Sequence, residues 1–147
     1  GCRGFRHSDD DAHCHGTTHF VFGDASTALS GAELTGENSI CVTGEVPHEQ
    51  RETLINEILH GSKNILYGTQ AIFSEGISVN TLSCLILATP INNEPLLTQL
   101  IGRVVRKHDN KRDPVIIDIH LKGKTAQRQA SNRMGYYMKQ GYSIKQL

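Results

Sequence analysis

The chain has 147 residues, enough for one domain with its own hydrophobic core. Lysine plus arginine number 15, as do aspartate plus glutamate, so the net charge of zero gives no argument for a polyanionic partner. No stretch approaches the roughly 20 apolar residues that span a bilayer, and no apolar signal segment is found, so we expect a cytoplasmic protein with no membrane partner. The four cysteines form no disulfide framework, which agrees with a reducing compartment.

Residues 1–18 are rich in Gly, His and Asp and show no apolar periodicity. Their His, Asp and Cys side chains are potential metal ligands, but no paired C-x-x-C or H-x-x-x-H spacing is present. We therefore expect a disordered, metal-free leader over 1–18, followed by one domain over 19–147.

From His19 onward, short apolar runs alternate with helical segments. Pro47 suits the first position of a helix, and Gly31 is expected to interrupt an otherwise weak helix. The predicted strands cover 19–23, 39–43, 64–68, 84–88 and 114–118, and the predicted helices cover 26–34, 47–60, 95–106 and 125–140.

The predicted strands are continuously apolar rather than alternating, which indicates burial on both faces. Strand–helix alternation with such strands predicts an α/β fold, a three-layer domain with a mostly parallel central sheet. Ligands of such sheets bind beyond the carboxyl ends of the strands, so the loops after Gly68, Ala88 and Asp118 are the expected sites.

The charges of the chain are unevenly distributed. Residues 99–147 hold eleven lysines and arginines against three aspartates. A clustered basic excess suits a polyanion such as DNA. The alternative is ordinary solubilising charge on the last helix.

The run from Gln99 to Arg106 places Arg103 and Arg106 three residues apart, on one face of a predicted helix. Two neighbouring guanidiniums call for an anion, and their planar forks fit phosphate. Gly102 removes a side chain where another backbone or a ligand could approach. For two arginines alone, a solvated basic helix face is the competing interpretation.

A second segment, 68–79, follows a buried strand with small polar residues whose N–H and hydroxyl groups suit phosphate. Together, the Gln-x-x-Gly-Arg-x-x-Arg run at 99–106, the wording Glu-Gly-Ile-Ser-Val at 75–79 and the block Gly-Glu-Val-Pro at 44–47 resemble the superfamily 2 helicases. The resemblance covers about 19–147 and is strongest to the UvsW-like phage DNA helicases. It implies the second RecA-like domain of a helicase motor, in the host cytoplasm if the protein is viral.

The resemblance also implies roles for particular residues. Arg103 and Arg106 would act as arginine fingers toward ATP, and the nucleic-acid backbone would contact Thr69 and Gln70. The remaining implied nucleotide-cleft residues are Gln99, Gly102, Glu75 and Gly76. ATP and Mg²⁺ would be held mainly by an N-terminal RecA-like domain of the same parent, the expected partner beside DNA. Ser78 stands where many members carry an aspartate.

A rival phosphate site is Gly123-Lys124-Thr125, which follows a strand and opens a helix. A P-loop also needs a glycine five residues before its second glycine, and Asp118 occupies that position. No Asp-Glu pair for magnesium follows any strand. We therefore expect the C-terminal motor domain of an ATP-dependent DNA helicase that unwinds, anneals or branch-migrates DNA, inactive by itself. The alternative is a stand-alone nucleic-acid or nucleotide-binding module without hydrolysis.

Overall fold

A computed structural model describes residues 18–70, 79, 82–104 and 113–146. Within them, five strands form one parallel sheet in the order β2-β3-β1-β4-β5. The strands are β1 Thr18–Phe22, β2 Ser39–Val42, β3 Ile65–Gly68, β4 Leu82–Leu87 and β5 Val115–Asp118. All five carboxyl ends therefore meet at one edge, as the alternating sequence predicts.

Four α-helices of the described residues connect or follow these strands. They are α1 Ala25–Thr35, α2 His48–Leu59, α3 Glu94–Val104 and α4 Lys124–Lys139, and a short 3₁₀ turn covers Gly36–Asn38. Asp24 caps α1 by accepting a hydrogen bond from the Thr27 backbone N–H at 2.8 Å. This bond stabilises the carboxylate and lowers the pKa of Asp24.

The core lies where β1 and β4 run through the middle of the sheet. Phe20, Leu66, Leu85 and Leu100 are each at most 1% exposed. Most of β4 is buried along its length, so both faces of this strand are covered. That pattern confirms the three-layer α/β fold predicted from continuously apolar strands.

The edge strand β5 departs from that prediction. Val115 and Ile117 remain 51% and 45% exposed, although their sequence is as apolar as that of the inner strands. The order of strands places β5 at the edge of the sheet, where one face is left uncovered. Apolar composition alone therefore overestimated the burial of this strand.

Three local expectations also need adjustment. Helix α1 runs without a break through Gly31, and Pro47 precedes α2 as its N-cap residue, with φ −58° and ψ 148°, rather than occupying its first turn. Strand β1 begins at Thr18, one residue before the expected domain boundary. The rest of the predicted leader, 1–17, lies outside the described residues.

Candidate nucleotide and nucleic-acid surfaces

Helix α3 presents two opposite faces. Leu97, Leu100 and Ile101 are buried in the core at spacings of three and four residues. On the side opposite these buried residues, Gln99 is exposed and Arg103, four residues later, is half-buried. Because a helix turns about 100° per residue, Gln99, Gly102 and Arg103 share one face directed away from the core. The structure thus brings together three of the residues implied for the nucleotide cleft.

Gly102 is an exposed member of this outward face. A Cβ atom added there would meet no atom of the described residues within 4 Å. Glycine inside a helix costs about 1 kcal/mol relative to alanine, so this position weakens α3, and packing among the described residues does not require it. The outward face, defined here as Gln99, Gly102 and Arg103, is therefore left uncovered at Gly102 by the residues that the structure describes.

The remaining implied nucleotide residues cannot be placed in the same way. Glu75, Gly76 and Arg106 lie outside the described residues, and so does Ser78. Their roles stay predictions from the sequence. Of the two arginines that the sequence singles out, the structure therefore describes Arg103.

The loops at the carboxyl edge are tied to one another by hydrogen bonds from backbone N–H groups. The Gly23 N–H donates to the Gly68 carbonyl at 3.1 Å, and the Thr69 N–H donates to the Val42 carbonyl at 3.3 Å. The Asp24 N–H donates to the Thr89 hydroxyl at 3.1 Å. The loops after β1, β2, β3 and β4 thus form one connected surface.

Thr69 and Gln70 lie directly on this edge, immediately after β3. Thr69 is half-buried and Gln70 is exposed. A hydroxyl and an amide next to fixed backbone groups are typical donors to the phosphates of nucleic acids. The structure therefore places both implied nucleic-acid residues where a backbone could reach them.

Sequence reasoning missed the residue that fixes the loop after β2. The Arg51 side chain is 7% exposed and donates to two backbone carbonyls of this loop, Val46 at 2.8 Å and Gly44 at 3.2 Å. Its signal was present in the sequence, because Arg51 precedes the buried Ile55 and Ile58 at helical spacing. A cation within an apolar stripe of this kind must find partners inside the protein.

The rival phosphate site does not acquire the shape of a P-loop. Gly123 has φ of +115° and directly precedes α4, while Lys124 and Thr125 are exposed at its start. Asp118 ends β5, and its carboxylate is already engaged by Arg133 and Tyr137. The loop is therefore a basic helix entry rather than a phosphate cradle.

Asp118 belongs to a second feature that sequence reasoning missed. Arg133 is 4% exposed and binds its carboxylate through two bonds of 2.8 Å, from Nε and Nη2. The Tyr137 hydroxyl donates to the same carboxylate at 2.7 Å. Burial is the largest single influence on Arg133 and would lower its pKa, but the bonds and charges of Asp118 and Tyr137 together raise it. Burial, and then the bond to Asp118, raise the pKa of Tyr137.

The described residues hold no group of three or more His, Cys, Asp or Glu arranged to bind a metal ion. They also contain no helix long and apolar enough to cross a membrane.

The parallel sheet with connected loops at its carboxyl edge defines a RecA-like α/β domain. A solved structure of S. cerevisiae Dbp5 bound to RNA and ADP BeF3 shares this fold with a TM-score of 0.64 at 20% identity, covering 88% of this chain and 35% of that one. A family model, the helicase conserved C-terminal domain, matches residues 15–108. The chain belongs to this helicase family.

Phage proteins are among its relatives. The chain is 41% identical over 116 residues to "Probable helicase D10" of Escherichia phage T5, covering 79% of this chain and 26% of D10. It is 35% identical over 78 residues to the ATP-dependent DNA helicase uvsW of Enterobacteria phage T4, covering 53% of this chain and 16% of uvsW. The chain thus spans about a quarter or less of these two relatives. The predicted resemblance to superfamily 2 phage helicases is confirmed.

Proposed function

We propose that this chain is the second motor domain of an ATP-dependent DNA helicase and that its outward α3 face completes a nucleotide site formed with a P-loop domain. The name of the uvsW relative supports both ATP and DNA. The sequence lacks a P-loop and an Asp-Glu pair, so Mg²⁺ and most nucleotide contacts belong to the partner domain. The task of the motor is unwinding, annealing or branch migration of DNA, in DNA repair or recombination.

The observation that carries this proposal is the outward face of α3. It combines an exposed Gln99, an open Gly102 and a half-buried Arg103 opposite a buried apolar face. Glycine costs helix stability, and Gly102 meets no atom of the described residues within 4 Å, as is also true of Gly135 on α4. What distinguishes Gly102 is its place beside Gln99 and Arg103, where the absence of a side chain lets a second domain approach closely.

Arg103 and Arg106 are proposed to stabilise the negative charge that develops during ATP hydrolysis. ATP supplies a phosphoanhydride whose hydrolysis develops negative charge on phosphate oxygens, and a guanidinium fixed nearby stabilises that charge. Arginine suits this role because its fork donates two parallel hydrogen bonds and stays charged at any relevant pH. Gln99, one turn before Arg103, is proposed to orient the arginines, and Glu75 and Gly76 to line the same cleft.

Thr69 and Gln70 are proposed to contact the DNA backbone. They lie at the carboxyl edge, where the connected loops hold backbone N–H groups in fixed places. Contacts of this kind bind phosphate without base recognition, which suits a motor that moves along DNA of any sequence.

The test uses the protein that carries this chain together with its P-loop domain. Arg103→Ala and Arg106→Ala should each lower the steady-state ATPase rate at saturating DNA by at least ~10²-fold, because an arginine finger contributes about 10³–10⁵ in rate. DNA affinity, titrated in parallel, should change much less. Arg103→Lys should rescue poorly, because an ammonium lacks the planar fork.

Arg128→Ala is the matched control, since Arg128 is an exposed arginine on α4. It should leave the ATPase rate unchanged. If Arg103→Ala and Arg106→Ala hydrolyse ATP normally but lose DNA binding, the α3 face is a DNA-contacting surface and the finger assignment is wrong. The chain would then act as a nucleic-acid-binding module.

A further inference from the structure

We propose that Tyr136 and Arg133 of α4 are positioning residues that set the location of the arginine-bearing helix α3. This inference rests on the proposed function, because it concerns how the outward face of α3 is held for catalysis. The residues involved lie on α4, on α3 and in the loop before α3. The helicase family model matches residues 15–108, so α4 lies outside the matched segment.

The first contact holds the loop that leads into α3. Arg133 Nη1 donates to the Ile91 carbonyl at 3.1 Å, in a buried setting. Ile91 lies three residues before α3 begins at Glu94. The other two bonds of Arg133 go to Asp118 at the end of β5, so one guanidinium ties this loop to the sheet. Because the charge is buried and its donors are committed, the loop has little freedom to shift.

The second contact lies in the first half of α3 itself. The Thr98 hydroxyl donates to the Tyr136 hydroxyl oxygen at 3.1 Å. Thr98 directly precedes Gln99 and lies one turn before Gly102, so it occupies the flank of α3 between the buried and outward faces. Tyr136 is 9% exposed and is held by packing against Tyr137, with ring centroids 6.2 Å apart.

Together the two contacts restrain the orientation of α3 more than its apolar packing does. Arg133 and Tyr136 are three residues apart, on one side of α4, and they reach points seven residues apart on α3 and its entry loop. One directional contact on the helix and another on the loop that leads into it set its rotation and its axial position. The buried face of α3 is aliphatic, and hydrophobic contact is non-directional. The outward face therefore takes its orientation from α4.

Orientation matters here because catalysis by a guanidinium is sensitive to its place. A displacement of about 1 Å far from the chemistry can cost about 10²-fold in rate. A hydrogen bond next to Gln99 and one turn from Gly102 is close enough to transmit such a displacement to Arg103. Loss of the Thr98–Tyr136 bond should therefore reduce turnover more than it reduces folding.

The experiment removes this one hydrogen bond from either side in the protein that carries the P-loop domain. Tyr136→Phe and Thr98→Val keep the shape of each side chain but delete a hydroxyl. Each should lower the ATPase kcat by about 5- to 20-fold, with the KM for ATP within about twofold and Tm within a few degrees. The double variant should be no worse than either single variant, since both remove the same bond.

Thr98→Ser is the rescue, because it keeps the hydroxyl, and it should restore kcat to within about twofold. Tyr142→Phe is the matched control, since it makes the same chemical change in a tyrosine that packs on Tyr137 at 6.4 Å. It should leave kcat unchanged. Arg133→Lys, which loses the fork, should lower kcat at least as far as Tyr136→Phe.

The outcomes separate this inference from the proposed function. If Arg103→Ala is inactive while Tyr136→Phe and Thr98→Val keep normal kcat, α4 has only a structural role and the inference is overturned. A fall in kcat that merely follows loss of folded protein also overturns it. If Arg103→Ala retains full ATPase activity, the proposed function fails and this inference fails with it.

Discussion

Three glycines lie inside the α-helices of the described residues, and two of them, Gly31 in α1 and Gly102 in α3, differ in what surrounds them, while the third, Gly135 in α4, is as open as Gly102. In α1, a Cβ added to Gly31 would approach the Tyr67 ring to 2.3 Å, so the fold itself requires glycine. In α3, a Cβ added to Gly102 would meet no atom within 4 Å in the part of the chain that the structure describes. Helical glycine is costly in both places, but the described structure explains only the first. Packing among the described residues therefore requires glycine at Gly31 but not at Gly102.

The contrast between the two glycines loses its proposed meaning if the chain hydrolyses ATP without a second domain. We expect the 147-residue chain alone to show no DNA-stimulated ATPase activity, because its sequence has neither a P-loop nor an acidic magnesium pair. Phosphate release at saturating ATP and DNA measures this. The protein with its P-loop domain serves as the positive control. DNA-stimulated turnover by the chain alone that disappears in Lys124→Ala would contradict the prediction and make Gly123-Lys124-Thr125 a working site.

Alanine at Gly102 should separate stability from activity. The substitution should stabilise the chain by up to ~1 kcal/mol, since it removes the cost of a helical glycine and the added methyl group meets no described residue. In the protein with its P-loop domain it should lower the ATPase rate at least ~10-fold, because a methyl group would stand where the second domain approaches. Denaturant titration and steady-state kinetics measure the two effects. Equal activity with raised stability would show that the open position has no role in assembly.

The sequence predicts the positions of the helices and strands, but not the contrast between Gly31 and Gly102. The strands were located to within about two residues because their apolar runs are bounded by polar segments, as with 84–88 predicted and Leu82–Leu87 observed. The spacing also predicts one helical face for Arg103 and Arg106, but Arg106 lies outside the described residues, so this stays a prediction. The fit of Gly31 against Tyr67 could not be predicted, because it depends on how α1 packs against β3.

The buried hydrogen-bond network of Arg133 could not be predicted from the sequence either. Asp118 and Ile91 lie 15 and 42 residues from Arg133 in the chain, and their proximity follows from the order of strands in the sheet. The exposure of Val115 has the same origin, because edge and inner strands look alike in composition. Local pattern thus located the elements, whereas contacts between distant elements required the fold.

The packed glycine should respond in the opposite direction to the open one. Gly31→Ala should destabilise the chain by about 1–2 kcal/mol, because displacing a buried ring costs about 1–3 kcal/mol and the gain in helix propensity offsets part of it. Tyr67 is only 8% exposed and has little room to move. Urea denaturation of Gly31→Ala and Gly102→Ala side by side measures the contrast. The double variant Gly31→Ala/Tyr67→Leu should recover part of the loss if the ring is the cause.

The smallest predicted effect is a change in stability at alkaline pH, and it concerns the Asp118 network. The pKa of Tyr137 is raised above its ordinary value of 10.0, mainly by burial and then by its bond to Asp118. Above pH 10 the unfolded chain therefore loses this proton while the folded protein keeps it, so the unfolded state gains and stability falls as pH rises. One such group contributes a slope of at most about 1.4 kcal/mol per pH unit. Burial raises the pKa of Tyr142, Cys41 and Cys84 in the same direction, so the wild-type slope has several sources.

Tyr137→Phe isolates the share of this one phenol. The variant loses the 2.7 Å bond to Asp118 and should be less stable at pH 7, but its stability should decline less steeply between pH 10 and 11. Denaturant titration at pH 7, 9, 10 and 11 gives the two slopes, and Tyr142→Phe, whose pKa is also raised, gives the comparison. Because Tyr137 is far more buried than Tyr142, its removal should flatten the alkaline limb more. An unchanged slope in Tyr137→Phe would mean that this hydroxyl ionises as readily in the folded protein as in the unfolded chain, and that the network anchoring α4 rests on Arg133 and Asp118 alone.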